Sequence, residues 1–140
     1  MEDKYKEANL KEYKHWILAT SFRQHTLGSF IILAKRPNEK ISDLTNEELL
    51  ELKTVMQETE EALSQTEGFK PQRFNYLQLG NSMNQLHFHG IPRYDSPRNF
   101  AGREWVDTTF GGPPIFLRKD QESELELIKQ IKESILPTLR

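Results

Sequence analysis

With 140 residues, 36% of them hydrophobic, the chain is long enough to bury one core and too short for two ordinary domains. Nineteen Lys and Arg against 21 Asp and Glu leave no positive field for a nucleic-acid backbone, and the lack of cysteine excludes a disulfide framework, thiolate catalysis and cysteine-ligated zinc. No apolar run is long enough to span a membrane and no hydrophobic signal core stands near the polar start MEDKYKEANLKEYK, so the expected address is cytoplasmic and neither nucleic acid nor membrane is an expected partner.

HWILATSF (15–22) and GSFIILAKR (28–36) are apolar, β-branched or aromatic runs joined by RQHTL, which predicts a pair of adjacent strands. Thr45 followed by Glu48 is a capping-box pattern, with Leu44 and Leu49 spaced as a hydrophobic staple, and it predicts a helix start. Leu49, Leu52, Met56 and Leu63 then recur at helical spacing until Gly68. RFNYLQLGN (73–81) predicts a third strand, Asn-Ser-Met-Asn a turn, and QLHFHGIPRY (85–94) a fourth strand. Residues 95–120, rich in proline and glycine, predict a long irregular segment of the kind that covers a ligand, with Trp105 and Phe110 read as packing on the core or, second, as covering a base. Leu125, Ile128, Ile131 and Ile135 line one face of a closing helix over 121–136. The order strand, strand, helix, strand, strand, helix is that of an α+β domain, a mainly antiparallel sheet covered on one face and free on the other.

The chemistry concentrates in QLHFHGIPR. In a strand, Gln85, His87 and His89 project from one face and Leu86 and Phe88 from the other. Imidazole titrates near 6.5, so neutral rings are abundant at neutral pH, and two on one face stand about 7 Å apart, within reach of one phosphate. The same pair also reads as partly exposed strand residues, or as adjacent metal ligands that need a third donor, for which Asp95 is the nearest carboxylate. His15 and His25, without spaced partners, read as surface or core histidines outside the site. Phe22, Phe30 and Ile32 read as core or as walls of a base pocket.

The stretch Gln85-Leu86-His87-Phe88-His89-Gly90-Ile91-Pro92-Arg93 resembles the His-φ-His-φ-His-φ-φ signature of the histidine-triad (HIT) superfamily, commonly continued by Pro-Arg. It matches at the second and third histidines and at Ile-Pro-Arg. GSFIILAKRP (28–37), ISDLTNEELLEL (41–52) and FNYLQLGN (74–81) resemble that family's early strand, helix start and pre-triad strand, and the nearest pattern is the bacterial type with Gln for the first histidine. The resemblance implies residues 1–140 as one HIT-like domain: a mainly antiparallel sheet of about five strands, a long helix packed on it and a C-terminal helix. It implies a nucleotide-binding hydrolase or transferase that cleaves nucleoside-5′-phosphoryl-X compounds, such as dinucleoside polyphosphates or nucleoside phosphoramidates, through a nucleotidyl-histidine intermediate. His87 falls at the nucleophile, His89 at the histidine that holds nonbridging oxygens, and Gln85 at the first histidine. Asn81 and Ser82 fall near the phosphate and leaving group, Asn75 at a ribose or phosphate contact, and Ser21, with Phe22 beside it, near the ribose. Arg93 and Arg98 read either as solvated surface charges or as groups that neutralise a polyphosphate leaving group. The resemblance further implies no required cofactor, Mg2+ entering only with a polyphosphate, and a homodimer. Because Gln85 cannot carry a proton away, a nucleotide-binding module without turnover stands as the alternative.

Overall fold

Alternation of side chains in the apolar runs decides which face of each is buried. The computed structural model describes residues 3–38, 40–81 and 84–140. One helical turn, α1 (Asp3–Lys6), precedes β1 (Asn9–Glu12), β2 (Trp16–Thr20) and β3 (Phe30–Ala34). In β2 and β3 the even-numbered residues, Trp16 and Leu18 through Ile32 and Ala34, are buried, while Ile17, Ala19, Ile31 and Leu33 are half-buried, the period of two that a pleated strand imposes.

The helix α2 (Asn46–Gln65) begins where the capping box predicts: the Thr45 hydroxyl accepts from the Glu48 N–H at 3.1 Å, and the Glu48 carboxylate accepts from the Thr45 N–H at 2.8 Å. Its buried stripe runs through Leu52, Val55, Thr59, Ala62 and Leu63, with Met56 partly buried. Leu49, expected in that stripe, is 42% exposed. The even-numbered sheet residues, this stripe and Ile128, Ile131 and Ile135 of α3 (Leu125–Ile135) form one core, and the Trp16 indole N–H ties β2 to the Glu48 carbonyl at 2.9 Å.

β4 (Arg73–Leu77) and β5 (His87–Arg93) complete the sheet, whose order is β1-β2-β3-β5-β4 with every neighbouring pair antiparallel. β1 is additional to the strands predicted from apolar runs, and so is a hairpin of β6 (Arg98–Phe100) and β7 (Arg103–Trp105) inside the segment expected to be irregular. Its two-residue turn places Ala101 and Gly102 at φ 53° and 75°, the left-handed pair that a tight hairpin requires. Trp105 is buried, as expected, whereas Phe110 lies outside the core, half-buried with the Arg73 guanidinium 5.6 Å from its ring centre. Among the described residues no helix is long and apolar enough to cross a membrane.

β5 sits between β3 and β4 and is buried along its whole length, on both faces. Ile31 stands opposite His89 and Leu33 opposite His87, so the odd-numbered face of β3 adjoins the histidines. On the helix face Phe30 lies opposite Gly90, where an added Cβ would fall on the Phe30 ring. Gly90→Ala is therefore expected to cost about 1–3 kcal/mol of stability by overpacking, read as a lower denaturation midpoint. An unchanged midpoint would mean that Phe30 moves aside freely.

Candidate active site

β5 projects His87 and His89 from the same face, and their rings lie 4.9 Å apart between centroids, nearly perpendicular. The strand begins at His87, so Gln85 occupies the bend before it and not a third position on the strand face. Its amide donates to the Ala34 carbonyl of β3, while its main-chain carbonyl lies 3.0 Å from Nδ1 of His87. A carbonyl only accepts, so Nδ1 carries the proton and the lone pair of Nε2 is free. The bend is held further by the Leu86 N–H on the Asn38 carbonyl and the Ala34 N–H on the Leu86 carbonyl, at 2.6 and 2.9 Å. Backbone bonds thus aim the His87 ring, and the side chain of Gln85 anchors the bend to β3.

His89 is 3% exposed and its Nδ1 is buried with no hydrogen-bond partner among the described residues. Burial first, and then the nearness of the His87 and His25 rings and of the Arg23 guanidinium, lowers its pKa to about 3, so the ring is neutral at physiological pH.

His25, read from the sequence as outside the site, lies against it. Its ring is 6.2 Å from that of His89 and stacks on Phe116 at 4.2 Å, while Phe116 meets the His89 ring edge-on at 4.9 Å. Phe116 and Leu117 cross the histidine face here. The Arg23 guanidinium lies 5.3 Å from the Phe116 ring centre, and the Leu117 N–H donates to Nδ1 of His25 at 2.9 Å. Burial and the charge of Arg23 lower the His25 pKa to about 4.

Other expected contacts are engaged elsewhere. Arg93 is 3% exposed, and its five N–H groups are all taken by Asp107 twice, Asn75, Gly112 and Thr109. It clamps the loop after β7 onto the sheet and has no donor left for a leaving group, and Asn75 is its partner through Oδ1. Arg98 donates to the Phe69, Lys70 and Ser96 carbonyls. Ser21 is buried, its hydroxyl accepting from the Arg23 N–H at 3.1 Å inside the β2–β3 turn. Phe22 belongs to the core and packs edge-on against Tyr5 at 4.9 Å. Neither presents a free face to a ribose. Phe30 and Ile32 are also core residues, so the half-buried Ile31 and Leu33 are the apolar neighbours of the histidines. Asn81 is exposed in the bend after β4, and Ser82 lies outside the described residues.

A cleft of about 440 Å3 beside His15 lies away from this face, and its charges pair with one another, Lys14 with Glu47 and Arg36 with Glu48. Among the described residues no group of three or more His, Cys, Asp or Glu is arranged to hold a metal ion.

The architecture recurs in solved structures. A histidine triad protein from Marinobacter aquaeolei VT8 matches at TM-score 0.63 and 20% identity over 99% of this chain and 94% of that one. A Hit-like protein involved in cell-cycle regulation from Bartonella henselae matches at 0.64 and 18% over 94% and 86%. A hypothetical histidine triad nucleotide-binding protein from Sulfolobus tokodaii strain7 matches at 0.60 and 19% over 91% and 83%. No curated protein matches the sequence. The family model for the HIT domain matches residues 15–96, more than half of the chain and the whole span from β2 through the histidine strand, and the protein therefore belongs to the HIT domain family.

Proposed function

We propose that the protein cleaves nucleoside-5′-phosphoryl-X compounds, such as dinucleoside polyphosphates or nucleoside phosphoramidates, through a nucleotidyl intermediate on His87. The observation that carries this reading is the 3.0 Å contact of His87 Nδ1 with the Gln85 carbonyl, which fixes the tautomer and leaves Nε2 as a free nucleophile. Attack by Nε2 forms an N–P bond, and the P–X bond breaks with its electron pair leaving on X. The ring gains positive charge in that step, and the Nδ1–H bond to the carbonyl becomes charge-assisted at that moment. Water then displaces the histidine at phosphorus, releasing the nucleoside monophosphate and restoring Nε2. His89, neutral, serves the phosphoryl oxygens by hydrogen bonding. Ile31 and Leu33, half-buried and opposite the two histidines in register, offer the base an apolar surface. The similarity to the hypothetical histidine triad nucleotide-binding protein from Sulfolobus tokodaii strain7 agrees with a nucleotide ligand. The reading needs no resident cofactor, and Mg2+ would arrive only with a polyphosphate. It also includes a homodimer joined at the outer edge of the sheet, formed by β4, which light scattering at micromolar concentration would report as twice 16.5 kDa.

One observation favours a nucleotide-binding module without turnover: the Gln85 amide is turned to Ala34, so no side chain relays a proton behind His87. A panel of dinucleoside polyphosphates and nucleoside phosphoramidates separates the two. Release of AMP or GMP is the expected result. Silence across the panel while AMP still binds would leave the binding module.

A further inference from the structure

The motif supplies two imidazoles to the face where its relatives' signature has three, and the fold brings another from a different element. We propose that His25 is the third imidazole of this site, its Nε2–H donating to a substrate phosphoryl or leaving-group oxygen held beside His89. The inference rests on the nucleotide reading above and adds a substrate contact to it.

Three features carry it. First, the turn that bears His25 is rigid. The Gln24 amide donates to the Ser21 and Ser29 carbonyls and accepts from the Gly28 N–H, at 2.7, 2.9 and 2.8 Å, which ties the turn to itself. The Thr26 hydroxyl donates to the Pro92 carbonyl and the Tyr94 hydroxyl to the Leu27 carbonyl, which ties the turn to the end of β5. His25 is therefore held against the same strand that carries His87 and His89, its ring plane set by stacking on Phe116.

Second, the position of its proton is fixed. The Leu117 N–H donates to Nδ1, so that nitrogen must offer its lone pair, and the neutral ring carries its proton on Nε2. The lowered pKa keeps the ring neutral near pH 7, so it offers a donor without adding a cation.

Third, the donor is unsatisfied. His25 Nε2 and His89 Nδ1 are both buried without a hydrogen-bond partner among the described residues, on rings 6.2 Å apart and nearly perpendicular. A buried donor left unpaired is costly. An oxyanion entering beside His89 would relieve this.

The test uses the whole protein, 15N-labelled in its histidines, titrated with AMP and followed by NMR. The His25 Nε2–H signal, assigned by its loss in His25→Gln, is expected to move downfield as AMP saturates the site. In parallel, His25→Phe keeps the aromatic stack on Phe116 and deletes the N–H; kcat/KM for a hydrolysed substrate is expected to fall about 10- to 100-fold, the effect of one hydrogen bond to a charged group. A merely structural role predicts instead an altered melting temperature with no AMP-induced shift of the wild-type His25 signal. If the His87 and His89 signals respond to AMP while that of His25 stays in place, or if a folded His25→Phe retains full kcat/KM, the inference falls and the nucleotide reading stands. If no ring responds and the wild type releases no nucleotide, both fall. Should His25→Phe fail to fold, the wild-type titration decides alone.

Discussion

Replacing His87 by alanine is expected to lower turnover of a nucleoside-5′-phosphoryl-X substrate by about 10³-fold or more while AMP affinity stays within a few fold. The group removed acts by forming a bond in the transition state, so its loss appears in kcat and not in ground-state binding. Gln85→Ala is the instructive contrast. The acceptor that orients His87 is the main-chain carbonyl of residue 85, which alanine retains; only the amide anchor to Ala34 is lost, and the loss of rate should be far smaller. An acid-labile phosphorus adduct trapped in the wild type and missing from His87→Ala would locate the covalent step. Because His87 is 6% exposed, the melting temperature of the variant must accompany the rates. A folded His87→Ala protein with undiminished hydrolysis would place the nucleophile elsewhere.

What the sequence made legible was whatever is written in local periodicity. The alternation in WILAT and FIILA placed β2 and β3, the Thr45–Glu48 pair placed the start of α2, and the His-x-His spacing placed both imidazoles on one face of β5. β1 escaped because NLKE has no apolar alternation; it is a strand through its hydrogen bonds to β2. β6 and β7 are three residues each, too short to show a period, and their hairpin rests on the backbone of Ala101-Gly102. The site was legible only in its contiguous part. His25 reaches the histidine face through a partner 92 residues away, Leu117, and Phe116 carries no local mark that distinguishes it from a packing residue. One signal was present and unread. Arginine at the end of the otherwise apolar run HFHGIPRY is a charge in a strand that the pattern buries, and a buried charge demands a partner. That requirement points to a downstream carboxylate, which the fold supplies as Asp107.

Asp107→Ala is expected to be the most destabilising of the changes considered, by about 3–5 kcal/mol, because it leaves a buried guanidinium without its counter-charge. The side chains of Arg93 and Asp107 are 4% and 3% exposed and meet through two hydrogen bonds, at 2.7 and 3.1 Å. Removing both charges should be less harmful than removing one, so Arg93→Met combined with Asp107→Leu is expected to melt above Asp107→Ala. The pH dependence has a definite sign. Burial alone would raise the Asp107 carboxyl, but the bond from Arg93 and the N–H groups of Tyr94 and Thr109 outweigh it and hold the pKa below its ordinary value. A group depressed in the folded state contributes stability that is fully present above its unfolded pKa, about 3.9, and is lost as pH falls through the lower folded value. The gap in stability between wild type and Asp107→Ala should therefore be constant at neutral pH and narrow below about pH 4. Glu48, whose pKa is lowered to about 2 by its bond from Arg36, adds acid sensitivity to both proteins alike and cancels from the difference. The consequence extends to the site, since the loop clamped at Asp107, Thr109 and Gly112 leads directly into the strap that brings Phe116 and Leu117 to His25. Asp107→Ala should accordingly lose the fixed environment of the His25 ring at temperatures where the sheet is still folded. A variant that melts within 1 kcal/mol of wild type, with an unchanged His25 signal, would show that the clamp neither holds the loop nor sets the ring.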